Sequence, residues 1–86
     1  MRTPHLDLAW RPGTRDRARA AIVVPRYQFT AVARNRLRRR LREILRRGVL
    51  ATLPPIDFVV RAKRAAYGAP FAVLRAELAD AGARLQ

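Results

Sequence analysis

Thr30-Ala31-Val32-Ala33-Arg34-Asn35-Arg36-Leu37-Arg38-Arg39-Arg40-Leu41-Arg42-Glu43-Ile44-Leu45-Arg46-Arg47-Gly48 is the stretch on which the reading of this chain turns. Ala33, Leu37, Leu41, Ile44, Leu45 and Gly48 recur at helical spacing and form one apolar stripe. Thr30 suits the N-cap, where a side-chain oxygen accepts a hydrogen bond from the first turn, and Phe29 before it is placed to staple that turn. Gly48 reads as the C-terminal stop, with Arg46 and Arg47 against the negative helix end.

Eight arginines lie between Arg34 and Arg47, against the single acid Glu43. At about 100° per residue, Asn35, Arg39, Arg42 and Arg46 make an outward ridge, flanked by Arg36, Glu43 and Arg47. Arg34 and Arg38 fall nearer the border of the buried face, where their stems can pack while their heads reach out. Like charges one turn apart destabilise an isolated helix. Solvated helix faces normally mix signs, and this one does not. A phosphate backbone across it would turn repulsion into attraction. Glu43 is expected to pair with Arg39 or Arg47, one turn away on either side.

The flanking segments read as strands and a second helix. Leu6, Leu8 and Trp10 alternate with His5, Asp7 and Ala9, the period of a half-buried strand closed by Pro12-Gly13. Thr14 to Arg19 suits a hairpin loop. Ala20 to Val24 is a short apolar run without alternation, as expected of a central strand buried on both faces, and Pro25 closes it. Pro54-Pro55 is a rigid connection into a strand over 56–62, and 63–69 reads as a loop. Pro70 fits the first turn of a last helix whose stripe is Phe71, Leu74, Leu78, Ala81 and Leu85. The order is strand, strand, helix, strand, helix. Two amphipathic helices on one face of a small sheet form an α/β two-layer sandwich.

The 86 residues allow one domain, spanning 1–86, and the 50% apolar content supports a small core. The net charge of +13, from 19 basic and 6 acidic residues, calls for a polyanionic partner. Lys63 is the one lysine; arginine grips phosphate bidentately and stacks on bases. Cysteine is absent from the sequence, which removes disulfides and thiolate zinc sites. His5 has no second histidine to form a metal pair, and near a terminus it is expected to be solvent-exposed. No apolar run approaches the roughly 18 residues of a membrane span, and no signal-peptide core opens the chain. The cytoplasm is the simplest expected location. Asp7, Asp16, Glu43, Asp57, Glu77 and Asp80 are scattered singly, without the convergent carboxylates a protein nuclease needs. A helix-turn-helix is not visible either.

Two residues carry open readings. Asn35 either completes a first helical turn or bonds a base edge or ribose hydroxyl. Trp10, Tyr27, Phe29, Phe58, Tyr67 and Phe71 read mostly as core, but Tyr27, beside Arg26 and outside any apolar stripe, is also a candidate base-stacking residue.

The run from Ala31 to Glu43 resembles the signature of the bacterial ribonuclease P protein: an Arg-Asn-Arg triplet, an apolar residue, a basic pair, two further residues, then Arg-Glu. Arg34, Asn35, Arg36, Leu37, Arg38, Arg39, Arg42 and Glu43 fall on it. Val23-Val24 and Arg26 before it, and Ile56 to Ala62 and Phe71 to Leu78 after it, resemble the family's flanking elements, so the resemblance covers residues 6–84. It implies a left-handed crossover in which the arginine helix joins two parallel strands. It also implies a role in Mg²⁺-dependent removal of the 5′ leader from precursor tRNA, with the catalyst and its metal on the RNA subunit and no catalytic residue on the protein. Ribonuclease P RNA and precursor tRNA are the implied partners, without a protein partner or a membrane. The expected RNA-binding residues are Arg26, Tyr27, Arg34, Asn35, Arg36, Arg38, Arg39, Arg42 and Arg46. The resemblance further implies an aromatic-bearing helix and strand ahead of Leu6 that this sequence does not carry, so leader discrimination is expected to be weak. The competing reading is a structural RNA-binding domain of ribosomal-protein type without a processing role.

Overall fold

The computed structural model describes residues 1–85. Its elements are β1 (Leu6–Pro12), β2 (Arg19–Val23), α1 (Ala31–Ile44), β3 (Ile56–Ala62) and α2 (Phe71–Leu85), the order expected from the sequence. A π-helical turn (Leu45–Val49) and a 3₁₀ turn (Leu50–Thr52) prolong α1, and a second 3₁₀ turn (Arg64–Gly68) precedes α2.

The sheet order is β1-β3-β2, with β1 antiparallel and β2 parallel to β3. This corrects two sequence expectations. Ala20 to Val24 does not hold the centre; β2 is an edge strand of alternating exposure, and β3 is the central strand. Residues 14–19 are not a hairpin loop, because β3 lies between β1 and β2. The physical reason is coverage: the buried residues of the sheet lie on one face, so β2 has only one face to bury. Leu8, Val60 and Ile22 share a register row on that face, whereas Val59 and Val23 remain over a third exposed on the other. Trp10 also departs from expectation. It shares the parity of Leu6 and Leu8 but is 44% exposed.

The core joins Leu6, Leu8, Phe58 and Val60 of the sheet to Leu37, Leu41, Ile44 and Leu45 of the first helical segment and Leu74, Leu78 and Ala81 of α2. Phe71, expected in the α2 stripe, is exposed at the helix entrance, where the Pro70 carbonyl accepts from Val73 and Leu74. Gly48 does not stop the helix. The wide turn, in which Leu50 N–H donates to the Leu45 carbonyl, moves the buried phase on by one residue, so Val49 is buried and Gly48 exposed. The stop comes at Leu53, forced into extended conformation ahead of Pro54.

His5 is half-buried rather than free. Its ring pairs with the Glu77 carboxylate, and its backbone N–H donates to Glu77 Oε1 at 3.1 Å, tying α2 to the start of β1. Burial works to raise the Glu77 pKa, but hydrogen bonds from Thr3 and His5, together with the charge of His5, outweigh it and hold the carboxyl below its ordinary value.

Candidate nucleic-acid interface

The α1 helix starts where the sequence says it should. Thr30 Oγ1 accepts from Ala33 N–H at 3.1 Å with Thr30 in extended conformation. The turn that delivers the chain to this cap is unusual: Tyr27 and Gln28 both have positive φ, 47° and 68°. Such conformations cost side-chain-bearing residues of the order of 1–3 kcal/mol each and persist only when neighbours enforce them. Here Tyr67 does so. Its hydroxyl donates to the Pro25 carbonyl at 2.6 Å, and its ring stacks on Phe29 with centroids 4.0 Å apart. Phe29 therefore packs against Tyr67 as well as leading into the helix, and Tyr67 is half-buried where it packs against the core.

The expected RNA-binding residues divide by exposure. Asn35, Arg36, Arg39, Arg42 and Arg46 are exposed along α1 and its extension, with Arg26 exposed at the preceding turn. Arg34 and Arg38 are half-buried, as the border position implies, and Tyr27 is half-buried on its turn. Arg34 precedes Leu37 and Leu41 by three and seven residues and so leans to the core side, where its Nε is buried without a hydrogen-bond partner. Glu43 pairs with Arg47, the partner on the C-terminal side. Among the described residues, no arginine of α1 and no other arginine of its π-helical extension has a carboxylate within 4.0 Å. The ridge is one-signed in three dimensions as well as in sequence.

Each flank of α1 borders a recess. On one side Arg38, Arg42, Leu45, Arg46 and Leu50 face Ala20 and Ile22 of β2 across about 340 Å³. On the other, Ala33, Arg36, Leu37 and Arg40 face Phe29 and Tyr67 across about 240 Å³. Arg40 and Arg64 join this second flank, with Arg64 Cζ 5.8 Å from the Phe29 ring centroid. Sequence reading missed both. Helical phase hid Arg40 beside the apolar stripe, and no local pattern links Arg64 to a helix more than twenty residues earlier.

The fold and this surface define a small basic α/β protein that presents an unneutralised arginine helix beside a three-stranded mixed sheet. A family model described as Ribonuclease P matches residues 1–86, and the chain belongs to that family. It is similar to the ribonuclease P protein from Thermotoga maritima, with a TM-score of 0.88 and 27% identity over 100% of this chain and 82% of that one. The Staphylococcus aureus ribonuclease P protein shares the fold at a TM-score of 0.84 and 17% identity, again over 100% and 82% of the two chains. No curated protein sequence matches.

Proposed function

We propose that this chain binds the catalytic RNA of ribonuclease P through the exposed face of α1 and assists Mg²⁺-dependent removal of the 5′ leader from precursor tRNA. The observation that carries the reading is the unneutralised face: the outward arginines have no acidic partners, so a phosphate backbone is the counterion that satisfies them. Four of the six acids are paired away from α1. Asp7 pairs with Arg2, Asp57 with Arg11, Glu77 with His5 and Asp80 with Arg84. Among the described residues no cluster of three or more metal-ligating side chains forms. In this reading the ion and the hydrolysis belong to the RNA, and the protein neutralises phosphate and holds the RNA fold. Among the described residues no helix is long and apolar enough to cross a membrane.

Reconstitution with a bacterial ribonuclease P RNA tests this. At low Mg²⁺, adding the protein should raise precursor cleavage by the RNA, while the protein alone should cleave nothing. Cleavage by rigorously RNA-free protein, or an RNA indifferent to its addition, would overturn the proposal.

A further inference from the structure

The recess between α1 and the Phe29–Tyr67 pair has features that the phosphate-neutralising ridge does not explain. Its lining combines two stacked aromatic rings, the apolar side chains of Ala33 and Leu37, and the guanidinium-bearing Arg36 and Arg40 one helical turn apart. Arg64 sits over the Phe29 ring from the turn before α2. Among the described residues none of these three arginines has a carboxylate partner, and the lining contains no acid. The pair is also built at some expense. Phe29 follows two left-handed residues, and Tyr67 spends its hydroxyl on Pro25 to hold that turn.

We infer that this recess binds one unpaired nucleotide of RNA, its base against the Phe29–Tyr67 pair and its flanking phosphates on Arg36, Arg40 and Arg64. The ligand chemistry follows from the lining. A flat aromatic base finds a π-surface and an apolar opposite wall, and a phosphate at the rim finds forked donors. A duplex offers no free base face to such a recess, because its bases are already stacked and paired. The inference rests on the reading of α1 as an RNA-binding face and adds a single-stranded contact to it. It also gives Tyr67 two separable parts: the ring that receives the base and the hydroxyl that ties the turn.

Those parts respond differently to substitution. Stacking releases no counterions, so its loss lowers affinity without changing the salt slope, whereas a lost arginine–phosphate contact makes the slope shallower. The probes are a short unstructured oligoadenylate, which reads the recess, and a bacterial ribonuclease P RNA transcript, which reads the proposed function. With oligoadenylate, Phe29→Leu and Tyr67→Leu should each weaken binding roughly 5-fold to 150-fold at unchanged slope. Tyr67→Phe keeps the ring and gives up only the tie to Pro25, so it should lose markedly less affinity than Tyr67→Leu, and Arg36→Ala with Arg40→Ala should flatten the slope. In the unsubstituted chain, where folding is not in question, titration should shift the Phe29 and Tyr67 ring resonances to saturation. Ring resonances that stay put overturn the inference. So does equal loss in Tyr67→Phe and Tyr67→Leu, which would make the pair a support for the turn alone. If the leucine variants weaken oligoadenylate binding while the transcript fails to bind the parent, the recess stands and the ribonuclease P reading falls.

Discussion

Replacing Arg34 with methionine should make the protein more stable and a poorer RNA binder at the same time. Arg34 Nε is buried without a partner on the core side of α1. Leaving such a donor unsatisfied costs about 1–3 kcal/mol, and the lower end applies because the side chain is half-buried. Arg34 also stands one turn from Arg38, a like-charge pair worth roughly 0.2–0.5 kcal/mol against the helix. Methionine has nearly the same helix propensity and keeps the apolar stem, so about 1–1.5 kcal/mol of stabilisation is expected. For a domain of this length each kcal/mol moves Tm by about 4–8 °C. The cost appears in binding: if Arg34 reaches one phosphate, the log–log salt slope for ribonuclease P RNA becomes shallower by roughly 0.7–0.9. Thermal unfolding followed by circular dichroism and a salt series of binding isotherms read the two effects. A lower Tm would refute the orphaned-donor argument, and an unchanged slope would remove Arg34 from the interface.

Two further substitutions probe what holds the arginine helix in place. Glu77→Gln should flatten the acid limb of the stability curve: a carboxyl with a depressed folded pKa stabilises above its unfolded value of about 4.3 and loses that contribution as pH falls through the folded value. Urea midpoints measured from neutral pH downward should therefore fall less steeply in the variant, and parallel curves would dismiss the His5–Glu77 tie as a source of stability. At Gly82, buried in α2, an added Cβ would lie 3.2 Å from Val49 Cγ1 of the π-turn. Gly82→Leu should overpack this contact and destabilise by about 1–3 kcal/mol; an unchanged urea midpoint would show that α2 and the turn separate freely.

Much of the site was legible because helix signals are local. The Thr30 cap, the stripe Leu37, Leu41, Ile44 and Leu45, and the one-signed ridge all depend on residues within a turn or two of each other, and the structure reproduces them. Even the half-burial of Arg34 and Arg38 follows from helical phase. The misread end of the helix is instructive. Ideal phase selects Gly48 for the core, but packing favours Val49, and one widened turn supplies the shift.

What only the tertiary structure decided is non-local. An apolar run such as Ala20–Val24 suits either the centre or the edge of a sheet, and its place depends on which strand β3 pairs with on its other side. His5 and Glu77 are 72 residues apart, so nothing near either one announces their pairing. The same is true of Phe29 and Tyr67, each unremarkable in its own segment until the crossover from β2 through α1 to β3 brings them into a stack. Sequence alone determined that this protein carries a helix of exposed arginines, because charge and periodicity are properties of neighbouring residues. The recesses on the helix's flanks were decided by chain closure over distances that no local pattern encodes.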